Sequence, residues 1–294
     1  MFTGPWFNCL KPNDFTVFAV AMVLLMKKPF FTIVTISYNQ GKFLKDTINS
    51  VLNQSFTDYE YIVHDPGSSD GSREIILSYS PFLKISFECD NGPADGLNKA
   101  FSRASGKYYL FLNSDDRLRP NAMEYLYRWI NKDNFSHDVY SGGCRIINEQ
   151  GDVVRRAYSD KMSLRRAAYG QSLLIQPSTV FSAKSYRIVK GFNGNNKSNW
   201  DGELFIDIAL AGLPFARSMR ILSDYRVHHS SITGSGALQQ AHNNHSVRMY
   251  EKITKKAISS RATPLKYIYY LEKKLLNPLD TMERAIFGPV FKSG

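Results

Sequence analysis

The chain has 294 residues, 43% of them hydrophobic and 21% charged, and a net charge of +11 at neutral pH. This composition excludes the collagen-like, low-complexity and disordered classes, and the length allows a large core in one extended domain or two modest ones. The positive excess calls for an anionic partner, with nucleic acid, an acidic membrane surface and a phosphorylated small molecule all qualifying, while three scattered cysteines, Cys9, Cys89 and Cys144, suggest neither a disulfide framework nor a Cys-x-x-Cys site and point to a reducing cytoplasm.

Residues 15–26 read FTVFAVAMVLLM, an apolar run shorter than the roughly 20 residues a spanning helix needs. Lys27, Lys28 and Pro29 follow where a signal peptide would carry small residues. Two readings of the extension 1–28 stay open, a helix touching a membrane surface or a segment upstream of a natural start at Met26.

Residues 31–37 (FTIVTIS) form a β-branched and aromatic run, the pattern of a strand covered on both faces. A helix follows at 42–53, where Leu44, Ile48, Val51 and Leu52 recur at helical spacing. The alternation continues with a strand at 59–64, a helix at 70–78, a strand at 84–88, a helix at 94–104 and a strand at 108–113. Such spacing means βαβ units and an open, mostly parallel α/β sheet flanked by helices. Beyond Tyr140 the reading is short strands at 139–147 and 153–157, an edge strand at 173–182 and a helix at 201–211.

From Arg248 onward ten Lys or Arg face four Asp or Glu. Leu265, Ile268, Leu271, Leu275 and Leu279 share one helical face there, and Lys266, Lys273 and Lys274 fall largely off it, so the tail 241–294 reads as a basic amphipathic helix. The body is 29–240, divided into halves at 118/119.

Ligands of such sheets bind beyond the carboxyl ends of the strands, and four polar clusters sit there: Tyr38-Asn39, Asp65, Asp90-Asn91-Gly92 and Asn113-Ser114-Asp115-Asp116. No G-x-G-x-x-G or G-x-x-x-x-G-K-[ST] accompanies them, against a dinucleotide site or a P-loop. Adjacent carboxylates at Asp115-Asp116 are costly without a cation, and hard Mg²⁺ or Mn²⁺ held by one or two carboxylates plus substrate phosphates would relieve them. The plainer reading is a helix N-cap before Pro120, which can hold for one of the two. Asp65 to Ser72 (DPGSSDGS) has its own plain reading, a turn with Asp70 capping the next helix.

Together, TIVTISYNQGKFLKDTINSVLNQSFTDYEYIVHDPGSSDGSREII, CDNGPADGLNKAFSRASGKYYLFLNSDD and GFNGNNKSNWDGELFIDIALAG resemble the family-two glycosyltransferases of the GT-A fold, over residues 31–233. The resemblance implies an enzyme that moves a sugar, usually with inversion and with Mn²⁺ or Mg²⁺, from a nucleotide diphosphate sugar, most often of uridine, to an acceptor hydroxyl. It implies Ser37, Tyr38 and Asn39 against the nucleoside, Asp65 on the base and Asp90 near base or ribose. Asp95, Asn98 and Lys99 would lie by the diphosphate and donor sugar. Asn113-Ser114-Asp115 stands where the family often has Asp-x-Asp, so Asp115 would hold the metal, while Asn113 cannot bind it with charge.

Inversion needs a base for the acceptor hydroxyl proton. The resemblance places it at Asp201, with Glu203 as second choice, against a plain reading of Asp201 as helix N-cap. The ending Arg226-Val227-His228-His229-Ser230-Ser231-Ile232-Thr233 is similar to the family's, which offers His228 to the metal or diphosphate beside a purely structural role. Gln176-Pro177-Ser178-Thr179 resembles its acceptor-side segment. The expected acceptor is a lipid-linked or oligosaccharide glycan of surface-polysaccharide synthesis (O-antigen, capsule or exopolysaccharide), met at the inner face of the cell membrane, with the basic tail on anionic lipid. Two other classes compete: a sugar nucleotidyltransferase, which would carry a Gly- and Lys-rich loop near its first strand, and a basic nucleic-acid-binding module, which the acidic strand ends oppose.

Overall fold

The computed structural model describes residues 28–228, 239–258 and 262–288. The apolar run at 15–26 and the Ser230 to Thr233 ending lie outside them.

β1 (Phe31–Ile36) runs parallel between β2 (Tyr59–His64) and β4 (Tyr108–Asn113), with Phe31 opposite both Tyr59 and Tyr108. β3 (Lys84–Ser86) adds in parallel outside β2. Successive side chains of a strand alternate faces, and β1 uses both. Phe31 and Ile33 enter a core layer with Leu44, Ile48 and Val51 of α1 (Gly41–Leu52) and Leu126 and Ile130 of α4 (Ala122–Lys132). Val34 enters the opposite layer with Leu97 and Phe101 of α3 (Pro93–Ser102) and Leu204, Phe205 and Ile208 of α7 (Trp200–Leu210). Truncating a fully buried member such as Leu97 to alanine costs about 2–5 kcal/mol.

The expected parallel run is β3-β2-β1-β4. Beyond it the sheet is mixed, continuing through β8 (Thr179–Ser182), β6 (Val139–Ile147), β9 (Phe215–Arg226) and β5 (Arg117–Leu118). β8 is antiparallel to both neighbours, whereas β6 and β9 run parallel to each other and β7 (Val153–Tyr158) pairs antiparallel with β6. The segment read as an edge strand at 173–182 is therefore internal: its 3₁₀ turn Gln176–Ser178 and β8 sit between β4 and β6. Its fully buried hydroxyls are what hid this, because Ser178 bonds Ser223 at 2.6 Å and Thr179 bonds Ser141 at 2.6 Å inside the sheet.

Two caps differ from expectation. Helix α2 (Ser72–Ser78) is capped by Gly71 in the left-handed region, and α4 by Asn121, so neither Asp70 nor the Asp115-Asp116 pair is an N-cap. Asp70 instead bridges two helix starts, accepting from the Ser72 N–H at 3.1 Å and the Gly41 N–H at 2.8 Å. Partial burial would raise its carboxyl, but the bonds from Ser72 and Gly41 outweigh that and hold it below its ordinary range.

α8 (Gln239–Thr254) spans the boundary expected at 240/241 and packs on the body. Beyond α8 the described part of the tail is two helices, α9 (Ala262–Leu276) and α10 (Pro278–Phe287), because Pro278 cannot continue α9, so Leu279 does not share the face of Leu265 to Leu275. The tail docks through polar groups. Asn277 Nδ2 donates to the Tyr158 carbonyl at 3.0 Å and to Asp160 Oδ1 at 2.9 Å, and the buried Asp280 accepts from the Tyr158 N–H. These contacts cover β7, an otherwise open edge.

Candidate active site

The four strand ends meet at one corner. After β1, Ser37 is buried with its N–H on the His64 carbonyl, and its Oγ has no partner among the described residues. Tyr38 projects into solvent. Asn39 takes φ +52°, a conformation asparagine tolerates, and ties this turn to the next: its N–H donates to Ser68 Oγ at 2.8 Å and its Oδ1 accepts from the Ser69 N–H at 2.9 Å.

Asp65, the residue expected on the base, is wholly buried. Its oxygens accept from the Gly67 and Ser68 N–H groups and the Ser68 hydroxyl, and Arg73 stands 3.3 Å away. The carboxylate thus builds the turn, and Asn39, Ser68 and Arg73 are what this corner presents outward.

Between β2 and β3 lies a relay that the motifs did not single out. His64, fully buried, places Nδ1 2.9 Å from Ser86 Oγ and Nε2 3.0 Å from Asp90 Oδ2, while Asp90 Oδ1 accepts the Gly92 N–H at 2.9 Å. α3 passes so close that a Cβ at Gly96 would stand 2.5 Å from Asp90 Oδ2. A side chain there would force Asp90 or His64 to shift.

At the start of α3, Asp95 accepts from the Asn91 N–H and pairs with Lys99 at 3.2 Å. The Asn91 hydrogen bond, with Lys99, holds its carboxyl low. Lys99 also donates to the Cys89 carbonyl, and Lys197 reaches across from another loop to the Asn91 carbonyl. Asn98 is turned the other way. Its Oδ1 accepts from Tyr186 Oη at 2.7 Å and the Phe192 N–H at 2.9 Å, and its Nδ2 donates to the Phe192 carbonyl at 2.8 Å. It pins the Gly191-Phe192 turn rather than facing the diphosphate, and Gly191, at φ +78°, leaves no room there for a Cβ.

After β4, Asn113 Nδ2 lies 3.3 Å from Gln176 Oε1, and Ser114 is buried with its carbonyl on Thr47 Oγ1. Asp115 Oδ2 lies 3.1 Å from His228 Nε2. Asp116 points inward, one oxygen accepting the Arg226 N–H at 2.9 Å and the other without a partner among the described residues. Burial and the Asp115 charge push its carboxyl well up. Arg226 closes the arrangement, donating to the Asp115 and Glu149 carbonyls under the Phe43 ring.

The sequence profile of glycosyl transferase family 2 matches residues 32–190, more than half of the chain. The chain belongs to this family. It is 26% identical over 235 residues to chondroitin synthase of Pasteurella multocida strain Pm70, covering 79% of this chain and 24% of that protein. It is likewise 26% identical over 263 residues to hyaluronan synthase of Pasteurella multocida, covering 88% and 26%. The chain therefore spans about a quarter of the length of these relatives. Among solved structures, TarS 1–349 of S. aureus in complex with UDP-GlcNAc superposes with a TM-score of 0.64 at 18% identity, over 88% of this chain and 74% of that one, which shows the GT-A fold.

The two carboxylates considered for the base separate in the structure. Glu203 is buried and fully engaged, accepting from Asn193 at 3.1 Å, Asn196 at 2.7 Å, Arg248 at 2.5 Å and Lys252 at 3.2 Å. Burial alone would raise its carboxyl, but Asn193 and the charges of Lys252 and Arg248 hold it low. A carboxylate so occupied anchors α8 to α7 and is a poor proton acceptor, which removes the second choice. Asp201 lies in the first turn of α7, behind the true cap Asn199, and half-buried at a recess of about 110 Å³. A more open recess of about 270 Å³ beside α1 and β5 carries none of the strand-end clusters.

The side chains this corner could offer a divalent cation are the Asp115 carboxylate and the His228 imidazole, 3.1 Å apart. Among the described residues no group of three or more His, Cys, Asp or Glu stands close enough to hold an ion alone. Two protein donors completed by substrate phosphates is a pattern such cations accept, so the residues fit the group. Among the described residues no helix is long and apolar enough to cross a membrane.

Proposed function

We propose that the chain transfers a sugar from a uridine diphosphate sugar, with inversion, to a hydroxyl of a lipid-linked surface glycan. One observation carries the reading: the recess at Asp201 is flanked by two segments that also touch the donor corner. Leu173 lines the recess and Gln176, three residues on, meets Asn113, a span of at most about 10 Å. On the other side Lys197, four residues before Asp201, bonds the Asn91 carbonyl. The bound nucleotide of TarS and the polysaccharide names of the two relatives support the donor class and the polymer.

In this mechanism Asp201 accepts the acceptor proton as the hydroxyl oxygen attacks the anomeric carbon. The bond to the diphosphate breaks, its electron pair leaving on the diphosphate oxygen, and inversion follows from this single displacement. Lys99 and Lys197, set over the Cys89 and Asn91 carbonyls, bring positive charge to the leaving group. Asp115 and His228 would hold Mn²⁺ or Mg²⁺, which when bound neutralises diphosphate charge.

The docking of α9 and α10 leaves Ile268, Leu271, Leu275, Ile286 and Phe287 exposed beside Lys266, Lys274 and Arg284. Apolar side chains among cations suit an anionic lipid surface, so the enzyme works as a peripheral protein at the inner face of the membrane.

The test is a panel of nucleotide sugars assayed for Mn²⁺-dependent hydrolysis and transfer. A uridine sugar is expected to be cleaved. Transfer that survives both Asp115→Ala and Asp201→Asn in a working assay would overturn the site assignment.

A further inference from the structure

We propose that His64 is a positioning residue for the donor, and that its imidazole sets where the Asp90 carboxylate stands when the nucleoside binds. The inference rests on the transferase reading above, in which Asp90 meets base or ribose, and adds the residue that holds Asp90 ready.

His64 ends β2, and three strand ends are organised around it. Its carbonyl accepts the Ser37 N–H at 2.9 Å after β1, the next residue, Asp65, builds the turn after β2, and its ring reaches Asp90 in the loop after β3. That third end needs outside support. β3 is a three-residue edge strand whose pairing stops at Ser86, and Asp90 lies beyond it in a turn where Gly92 takes φ +118°. The neighbouring Cys89 and Asn91 are tied to Lys99 and Lys197, both partly open to solvent, whereas His64 reaches Asp90 from a wholly buried position on an interior strand.

The chemistry of the two partners fixes the ring. An ionised carboxylate only accepts, so the His64 Nε2 that stands 3.0 Å from Asp90 Oδ2 carries a hydrogen, and in the neutral ring Nδ1 then accepts from the Ser86 hydroxyl at 2.9 Å. Ser86, itself buried, thereby selects the tautomer that serves Asp90. The other carboxylate oxygen takes the Gly92 N–H at 2.9 Å. Each oxygen has two acceptor positions, which leaves one on each for a nucleoside N–H or hydroxyl, and the Asp90 side chain keeps 10% of its surface open. Held between the imidazole and the backbone of α3 at Gly96, the carboxylate is set before the donor arrives.

Two substitutions separate this role from the filling of a core. The amide nitrogen of glutamine reaches the place of Nε2 and that of asparagine the place of Nδ1, so His64→Gln keeps a donor for Asp90 and His64→Asn keeps only the Ser86 side, while both delete the ring. Calorimetric titration of the full chain with UDP and Mg²⁺ is expected to put His64→Gln within about threefold of wild-type affinity and His64→Asn about tenfold or more below it. In nucleotide-sugar hydrolysis the loss should fall on KM with kcat within about twofold, because Asp90 is set on the nucleoside and not on the bond that breaks. Ser86→Ala deletes one small hydroxyl and spares the ring, so it decides the matter if neither His64 variant folds; it is expected to weaken UDP about threefold. Equal losses in the two His64 variants, wild-type affinity in His64→Asn or, where neither folds, wild-type affinity in Ser86→Ala would overturn the proposal and leave the transferase standing. A wild type that does not bind UDP, or an Asp90→Ala variant that binds it as well as the wild type, takes the proposal down together with the donor reading of this corner.

Discussion

His228 Nε2 stands 3.1 Å from Asp115 Oδ2, joining the end of β9 to the turn after β4 across 113 residues of sequence. Arg226 fixes both sides of that contact, its N–H on Asp116 and its Nε on the Asp115 carbonyl. If the pair holds a cation for the diphosphate, UDP affinity depends on Mn²⁺, and His228→Ala weakens it about tenfold or more in Mn²⁺ while changing it little without metal. Calorimetric titration of UDP with and without Mn²⁺ measures this. Wild-type affinity that ignores the metal would take Asp115 and His228 out of the donor site.

Gly96→Ala is expected to disable the same corner from its other side. The added methyl would sit 2.5 Å from Asp90 Oδ2 and 3.0 Å from His64 Cδ2, and His64, wholly buried between Ser86 and Asp90, has nowhere to retreat. Overpacking of this kind costs about 1–3 kcal/mol. Urea unfolding should show that loss and UDP titration a weaker complex; a variant as stable as the wild type would mean the relay is slack.

Most of the strand-end corner was legible because strand ends follow from the alternation of elements. The run FTIVTIS and the helical spacing of Leu44, Ile48 and Val51 report burial directly, and once the alternation is fixed the positions of Asn39, Asp65, Asp90 and Asp115 follow. What stayed hidden depends on contacts distant in sequence. His64 reads as the last residue of a strand until Asp90 is brought beside it. Asn98 and Glu203 read as candidates because they neighbour Asp95, Lys99 and Asp201 in sequence, yet one pins Phe192 and the other anchors Arg248 and Lys252. β9 lacked the clean alternation that marks a strand, because its first half is only partly buried.

Glu203 gives a prediction with a definite sign. Its carboxyl is held low in the folded protein, so its contribution to stability is full above the ordinary glutamate value near 4.3 and is lost as pH falls through the lowered folded value. Breaking a buried ion pair costs about 3–5 kcal/mol, but Arg248 is 44% and Lys252 32% exposed, and solvent screening brings Glu203→Gln to about 1–3 kcal/mol at pH 7. Unfolding curves of the two proteins should draw together as pH falls from the ordinary glutamate range through the lowered folded value. A gap that persists undiminished into acid would show that shape, not charge, is what α8 needs.

The lipid-facing role proposed for α9 is better tested by changing its surface than by removing it. Cutting the tail would strip Asn277 and Asp280 from β7 and confuse docking with folding. Leu275 is 81% and Ile268 55% exposed, so replacing both with glutamate should change stability by no more than about 0.5 kcal/mol per site. The same double substitution puts two negative charges near Lys266 and Lys274 and removes two of the apolar contacts available to a membrane. Flotation on anionic vesicles is therefore expected to fall at least fivefold while UDP affinity holds, since α9 touches none of the strand ends. Flotation equal to the wild type would mean that this face meets something other than lipid.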